Sequence, residues 1–550
     1  MDGPKIDKTI FWMALVVIVA FAVPLVVWPA EGKAMLGTAL SWSTKTLGWL
    51  FLWFTIGAFA ILIYFAMGKY GKVRFGGPDA RPEFSLPSWI AMLFCAGIGA
   101  SVMYWGTIEW AYYYTGPPFG IEPKSQTAVE WASMYGLFHW GFTAWAVYCI
   151  PTLPLAYMYW NRKKPVLRLS SACEGVIGEA RAKGFTGKII DVLFMFGLIG
   201  GVGTSIGLGT PMLSAGLSEL FGVERNFTLD VIVISIWGLI FGFSVYSGLE
   251  KGIKVLSDIN LWLILFVLGF TFVFGPTIFQ LDAFTNSIGL LIQNFVQMSF
   301  YVDPVAKGEN IIAAVAEGNS YVSASGTFPE WWTIFYWAWW IADAPFMGLF
   351  VARISKGRTI RELIAVEIIG GSIGCWVFFA TLGNTSMFFQ LDGTLDMSAL
   401  VADGMAPEAI VQTIVLVGDR VIPFGLPLLI VFVILAFIFG ATTMDSSAYT
   451  LSTVATEDSG EPVEPARWHR FFWAFALAAV ALALMYAGGK DSLSALQAAS
   501  VVVAIPLMVV LIMMVMSLMK WLREDYPSLD LEQTTVKIPV SDTRKETPAE

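Results

Sequence analysis

The sequence has little charge, few cysteines and almost no histidine. Asp, Glu, Lys and Arg make up 14% of its 550 residues, and it holds four cysteines and two histidines. The cysteines lie far apart, which excludes a disulfide framework and a zinc-ligand spacing. The net charge of −9 indicates no nucleic-acid partner. Because no metal-ligand cluster, Ser-His-Asp pattern or phosphate loop is present, we expect neither an enzyme nor a cofactor.

Apolar residues dominate instead. They form 57% of the sequence, and the mean hydropathy is +0.68, which excludes a soluble domain and is typical of a multi-pass membrane protein. Twelve apolar segments reach the roughly 20 residues that cross a bilayer. Numbered spans 1 to 12, they cover residues 10–29, 46–67, 88–114, 132–160, 188–217, 228–247, 257–283, 332–353, 364–388, 423–455, 468–487 and 492–521.

The loops differ in their content of Lys and Arg. Those after even-numbered spans are rich in both, as in "RISKGR" at 353–358 after span 8, whereas those after odd-numbered spans hold few. Basic loops stay on the cytoplasmic side of a membrane. We therefore expect a protein of the inner (plasma) membrane, surrounded by lipid, with both termini in the cytoplasm.

Two spans carry residues that disturb a helix. In span 3, "FCAGIGASVMYW" contains Gly97 and Gly99, which fit either close helix packing or an unwound segment whose free backbone groups hold an ion or a charged ligand. In span 8, "ADAP" places Asp343 and Pro345 inside an apolar helix. Since proline removes one helical hydrogen bond, we expect a second interruption there.

Spans 3 and 8 are five apart in the chain. This spacing fits two inverted repeats of five helices, whose first helices flank a site near the membrane midplane. The predicted division is residues 1–87 with spans 1 and 2, 88–283 as the first repeat (spans 3–7), 284–331 as an outer loop with an amphipathic helix, 332–522 as the second repeat (spans 8–12), and 523–550 as a disordered cytoplasmic tail.

Aromatic residues cluster in spans 4 and 8. Span 4 contains "FHWGFTAWAVY", with Trp140, Trp145 and Tyr148, and span 8 contains "FYWAWWIADAP". Such residues also form interfacial belts or ordinary core packing. Facing one another, they could instead enclose a methylated ammonium group, with about 0.5–2 kcal/mol per contact. We expect His139 to be a packed, hydrogen-bonded histidine.

These two stretches, together with "ATTMDSSAYTLS" at 441–452, resemble the betaine/choline/carnitine transporter family. The resemblance extends over most of the chain. It implies an all-α, leucine-transporter-type inverted repeat with two additional N-terminal helices. It also implies a homotrimer and a substrate with a permanently charged ammonium or sulfonium group.

By this resemblance, the aromatic box of the family falls on spans 4 and 8. Trp337 would lie on the exit side and Trp339 beside the box, whose four members would be Trp140, Trp145, Tyr148 and Trp340.

The resemblance also assigns a glycine motif and an ion site. The motif falls on residues 97–101, where backbone N–H groups around Gly97, Gly99 and Ser101 would meet a substrate carboxylate. The second sodium site of the family would combine backbone carbonyls in span 3 with hydroxyl groups in span 10, near Cys95, Ile98, Thr442 and Thr443. From the residues alone, hydroxyl-to-carbonyl bonding within the helix is an equal alternative for the threonines.

Several residues depart from one branch of the family or another. Ser101 stands where proton-coupled choline members have Asp. Glu109, Tyr112 and Met347 match the sodium-independent carnitine exchangers, in which an arginine of span 7 replaces the second sodium. No basic residue follows Lys254 in span 7 here, which favours sodium.

Asp343 replaces the aromatic residue that the family usually has three positions after Trp340. Facing the box, it would place negative charge beside a cationic head group; facing a neighbouring helix, it would be a structural contact. We expect a sodium-coupled importer of glycine betaine, carnitine, γ-butyrobetaine, dimethylsulfoniopropionate or a methylated amine. The alternative is a sodium-independent exchanger of the carnitine/γ-butyrobetaine type.

Overall fold

The computed structural model consists of helices joined by mostly short connections. Within the described part the only β pairing consists of two isolated bridges, Ile6 with Thr456 and Arg74 with Thr359. The structure describes residues 5–164, 167–247, 249–304, 327–420, 422–457, 464–488 and 492–527.

The first half of the chain forms helices whose ends follow from local sequence. The Asp7 carboxylate accepts hydrogen bonds from the backbone of Thr9 and Ile10 and so caps the first helix. Gly222, at φ +65°, ends the seventh in the left-handed conformation. The helices are α1 Lys8–Val27, α2 Pro29–Met67, α3 Leu86–Gly97, α4 Ala100–Thr115, α5 Gln126–His139, α6 Phe142–Trp160, α7 Phe185–Phe221, α8 Phe227–Ser247 and α9 Leu249–Phe274.

The second half begins with a sharp bend. The axes of 258–274 and 277–299 differ by 105°, since Gly275 and Pro276 end α9. The later helices are α10 Thr277–Ser299, α11 Ile334–Ile354 after a π-helical turn at Pro329–Thr333, α12 Ile360–Leu391 with two π-helical turns, α13 Ala406–Asp419, α14 Gly425–Val454, α15 Arg467–Gly488 and α16 Ser492–Asp525.

Eight helices of the described chain are long and apolar enough to cross a membrane, namely α1, α2, α7, α11, α12, α14, α15 and α16. The bent pair α9–α10 makes a ninth if it is one span. The protein is therefore an all-α, multi-pass membrane protein, as predicted. All twelve predicted spans coincide with helices, the other four with α3–α4, α5–α6, α8 and α9. That each of these crosses the membrane, and that they form inverted repeats, stays a prediction.

Some predicted boundaries move. Span 7 ends at Phe274 and not at residue 283, because Gly275-Pro276 interrupts the helix. The helix expected in the outer loop therefore starts earlier, as α10. Residues 305–326 of that loop and 528–550 of the predicted tail lie outside the described residues.

The helices differ greatly in how far they are buried within the protein. In the most apolar stretch of α1, 28% of residues are buried, whereas in the most apolar stretch of 329–354, which includes α11, 94% are buried. Trp12 on α1 and Trp53 on α2 are exposed on the surface of the protein, but Trp337, Trp339 and Trp340 on α11 are interior. This burial excludes an interfacial belt for the α11 tryptophans, since a belt faces lipid head groups.

Candidate substrate site

The interruption predicted in span 3 is present. Ile98 and Gly99 are extended between α3 and α4, with φ/ψ of −122°/108° and −92°/−158°. A side chain at Gly97 would place its Cβ 2.7 Å from Met347 Cε, and one at Gly99 would place it 2.9 Å from Thr443 Oγ1. Both predicted features, an unwound segment and close helix packing, are therefore present. The glycines allow the helix to unwind and allow α11 and α14 to pack closely against it.

The second interruption lies elsewhere than predicted. α11 runs unbroken through Pro345, so the break expected there was wrong. Span 4 is broken instead, between α5 and α6, where Trp140 (φ −111°, ψ 18°) and Gly141 (φ −107°, ψ −147°) leave the helical conformation. Trp140 therefore sits on an irregular segment and its position does not follow the helical period assumed for span 4.

A cavity lies where the two breaks meet α7, α11 and α14. The aromatic residues, the acidic residue and the glycine motif predicted from the sequence converge on it, and no Lys, Arg or His is among its lining residues. It is lined by Gly97, Gly99, Ser101, Trp140, Tyr148, Val202, Ser205, Trp339, Trp340, Asp343, Phe346, Met347 and Thr443.

Trp340 is the centre of the aromatic group. Its ring centroid lies 5.4 Å from that of Trp140 and 4.4 Å from that of Tyr148. Trp339 approaches Trp140 edge to face at 6.0 Å. Rings from α6, α11 and the α5–α6 break thus line the cavity together, which suits a methylated cation.

Two predicted residues stand outside the cavity lining. Trp145 lies behind the aromatic group, 5.9 Å from Trp340 and 5.7 Å from Tyr148 between ring centroids. It packs flat against Gly371, where a Cβ would come within 2.1 Å of the indole. Tyr112 of α4 packs against Trp332 of the π-helical turn at Pro329–Thr333, at 4.9 Å between ring centroids, and is not among the lining residues.

Asp343 faces both the cavity and a neighbouring helix. Its carboxyl group lines the cavity on the same face of α11 as Trp339 and Trp340, because residues three and four apart share a face. Oδ1 is buried without a hydrogen-bond partner among the described residues. It packs against Gly201 of α7, where a Cβ would lie 2.0 Å from Oδ1. The Trp339 indole donates to the Gly201 carbonyl at 3.2 Å, beside this carboxyl group.

Sequence reasoning missed the contribution of α7. Val202 and Ser205 line the cavity and Gly201 makes room for Asp343. The signal was the glycine run "GLIGGVGTSIGLG" at 197–209, where repeated loss of side chains within one span indicates a close approach by another helix.

A second buried carboxylate, Glu109, lies behind Trp140. Oε2 accepts hydrogen bonds from Trp140 Nε1 at 2.9 Å and from the Tyr336 hydroxyl, and Oε1 accepts from the Tyr113 hydroxyl at 2.6 Å. His139 Nδ1 lies 3.6 Å from Oε1 and 2.8 Å from the same hydroxyl. Glu109 therefore fixes the Trp140 indole, and His139 is the packed histidine expected from the sequence.

The residues predicted for sodium lie along α3 and α14. Ile98 is in the break and Cys95 is in the last turn of α3, its side chain outside the described residues. The Thr442 and Thr443 hydroxyls both donate to the Phe439 carbonyl, at 2.9 and 3.0 Å. This is the helical bonding weighed as the alternative, yet each hydroxyl oxygen keeps lone pairs for a cation.

Interrupted helices that meet at an aromatic, buried cavity within a bundle of membrane helices define a membrane transporter. The chain belongs to the betaine/carnitine/choline transporter family, whose sequence model matches residues 9–527. The resemblance drawn from the sequence is thereby confirmed.

Two relatives cover nearly the whole chain. The chain is 34% identical over 482 residues to a protein named uncharacterized transporter YeaV of Escherichia coli (strain K12), covering 88% of this chain and 94% of that protein. It is 33% identical over 531 residues to a carnitine transporter of Acinetobacter baumannii, covering 96% of this chain and 91% of the relative. Family and relatives indicate a transporter and not an enzyme.

Proposed function

We propose that the protein imports a methylated onium compound, coupled to sodium, by alternating access. The candidates are glycine betaine, carnitine, γ-butyrobetaine, dimethylsulfoniopropionate or a methylated amine. The observation that carries the proposal is the cavity at the two helix breaks, which is lined by the aromatic side chains of Trp140, Tyr148, Trp339 and Trp340. A methylated nitrogen or sulfur loses its hydration when it enters this cavity. Contacts with aromatic faces compensate for that loss, each contributing about 0.5–2 kcal/mol.

Sodium is proposed to bind between the α3–α4 break and α14. Gly99 passes so close to Thr443 that a Cβ would lie 2.9 Å from the hydroxyl oxygen. Backbone carbonyls of an unwound segment and hydroxyl oxygens are hard ligands suited to this cation. Sodium at this position would hold α14 against the break, and its release into the cytoplasm would free the two to separate.

Uptake into proteoliposomes tests the proposal. Labelled glycine betaine, carnitine and trimethylamine are offered with an inward sodium gradient and with sodium equal on both sides. We expect accumulation of at least one compound only with the gradient. Equal accumulation under both conditions would contradict the coupling, and the absence of any uptake or binding would contradict the substrate class.

The second candidate is sodium-independent exchange. Met347 lines the cavity as in the carnitine exchangers. Efflux that needs external substrate and ignores sodium would favour exchange.

The protein is further proposed to act as a homotrimer in the inner (plasma) membrane, with both termini in the cytoplasm. The loop charges support this orientation. Cross-linking in membranes and labelling of single cysteines in the loops test the two statements.

A further inference from the structure

We propose that Asp343 makes this site selective for protonated methylamines, which are cations that keep one N–H and carry no carboxylate. The inference rests on the proposed function and deepens it. It concerns the chemistry of the substrate nitrogen, since a fully methylated ammonium or a zwitterion suits the aromatic group equally well but suits Asp343 less.

The charge of the cavity is the first argument. Asp343 is the one carboxylic acid among the lining residues. No basic residue lines the cavity to balance its negative charge. Ser101, Tyr148, Ser205 and Thr443 are the other lining residues with hydroxyl groups, and none of them carries a formal charge. A zwitterion brings a second carboxylate into the same small space, where repulsion at low dielectric is strong. A monocation neutralises Asp343 on binding.

The hydrogen-bonding state of Asp343 is the second argument. Oδ1 is buried and lacks a partner, which is costly for a carboxylate oxygen. A quaternary nitrogen has no N–H to donate. A protonated methylamine can donate its N–H to the Asp343 carboxylate as a charge-assisted hydrogen bond, while its methyl groups face Trp339 and Trp340 on the same face of α11.

A packing feature holds the carboxylate in this position. Gly201 leaves no side chain between α7 and Asp343, and a Cβ there would lie 2.0 Å from Oδ1. The carboxyl group therefore lies between α7 and the cavity, with the aromatic rings beside it. Beside the carboxyl group, the Trp339 indole N–H of α11 donates to the Gly201 carbonyl of α7 at 3.2 Å.

One observation favours the opposite selectivity. Trp340 Nε1 is a buried donor without a partner, and it could bond to a substrate carboxylate. Charge decides between the two, because a neutral indole N–H does not offset the repulsion between a substrate carboxylate and Asp343. Glycine betaine is therefore an essential arm of the test.

Titration calorimetry with the purified full-length protein, at a fixed sodium concentration, distinguishes between these two selectivities. The probes are trimethylammonium and tetramethylammonium, which differ by one N–H, together with glycine betaine. We expect trimethylammonium to bind at least about tenfold more tightly than either of the others, the scale of one charge-assisted hydrogen bond. Asp343→Asn should reduce that preference to within about threefold.

Glu367→Gln is the matched control. It removes another membrane carboxylate, which is buried on α12 beside Thr152 and does not line the cavity. It should keep the wild-type ratio. If Asp343→Asn does not fold, the ratio in the wild-type protein decides by itself.

The outcomes distinguish the two proposals. Tetramethylammonium or glycine betaine binding as tightly as trimethylammonium, or an unchanged ratio in Asp343→Asn, would overturn this inference and leave the proposed function standing. Binding of none of the three probes would overturn this inference, and the proteoliposome uptake of carnitine would then decide the proposed function.

Discussion

Two carboxylates are buried on either side of the Trp140–Trp340 pair, and they differ in their partners. Glu109 is saturated, with hydrogen bonds from two tyrosine hydroxyls and one indole. Asp343 has an oxygen with no partner and faces a cavity. The surroundings of Glu109 are those of a structural group, whereas the surroundings of Asp343 are typical of a group that binds a ligand.

The difference shows why burial alone does not identify a functional acid. Both side chains are interior, and both lie in helices that border the same aromatic group. What separates them is whether donors surround the carboxylate before substrate arrives. The predictions below test this difference, beginning with the largest expected effect.

Glu109→Ala should destabilise the protein strongly. It leaves the Tyr113 and Tyr336 hydroxyls and the Trp140 indole N–H buried without their acceptor, and we expect a loss of about 3–5 kcal/mol in the free energy of unfolding. Denaturant titration in detergent measures it. Glu109→Gln, which keeps one accepting oxygen, should lose less. A stability equal to the wild type in Glu109→Ala would contradict a structural role.

Trp340→Ala should abolish measurable uptake and weaken binding of the preferred cation at least about thirtyfold, or roughly 2 kcal/mol, because it removes the central ring of the group. Trp473→Phe is the control, since it alters a buried tryptophan on α15 that does not line the cavity. Calorimetry on both variants gives the comparison. Equal weakening in the two would mean that general packing, and not the cavity, is affected.

Gly201→Ala should weaken cation binding about tenfold, or roughly 1.4 kcal/mol, since its Cβ would displace the Asp343 carboxylate. Gly203→Ala lies two residues further along α7, where a Cβ meets its nearest atoms at 3.8 Å, and should bind as the wild type does. If both alanines bind equally well, the position of Asp343 does not depend on Gly201.

Asp343→Asn should change the free energy of unfolding by less than about 1 kcal/mol, or increase it, because it replaces a buried acidic group whose Oδ1 has no hydrogen-bond partner among the described residues. The same denaturant titration measures it. A loss comparable to that of Glu109→Ala would place Asp343 among the structural groups and remove the contrast.

Much of this site was predictable from the sequence. Gly97 and Gly99 predicted the α3–α4 break, because residues without a Cβ allow both unwinding and close approach. The break at Trp140-Gly141 was not predictable, since the apolar run "FHWGFTAW" looks like continuous helix. Pro345 had the opposite effect, because it predicted a break in α11 that is absent. α11 packs closely against α6, α7 and α16, and such packing keeps a helix together despite one missing hydrogen bond.

The orientation of Asp343 needed the structure. Its spacing from Trp339 and Trp340 put all three on one face of a helix, but the sequence could not say whether that face meets a cavity or another helix. Both are true, because Gly201 lets α7 touch the carboxylate while the break at residues 98–99 opens space beside it. The surroundings of Asp343 depend on how separate helices pack together, and a local sequence pattern carries no information about that packing.

The most direct test is an electron cryomicroscopy structure of the protein with trimethylammonium bound. We predict the nitrogen within about 6 Å of the ring centroids of Trp140, Tyr148 and Trp340, with its N–H directed at an oxygen of the Asp343 carboxylate at a charge-assisted distance of about 2.7–2.9 Å. Density for the cation outside this cavity, or a nitrogen in the aromatic group with its N–H turned away from Asp343, would contradict the account.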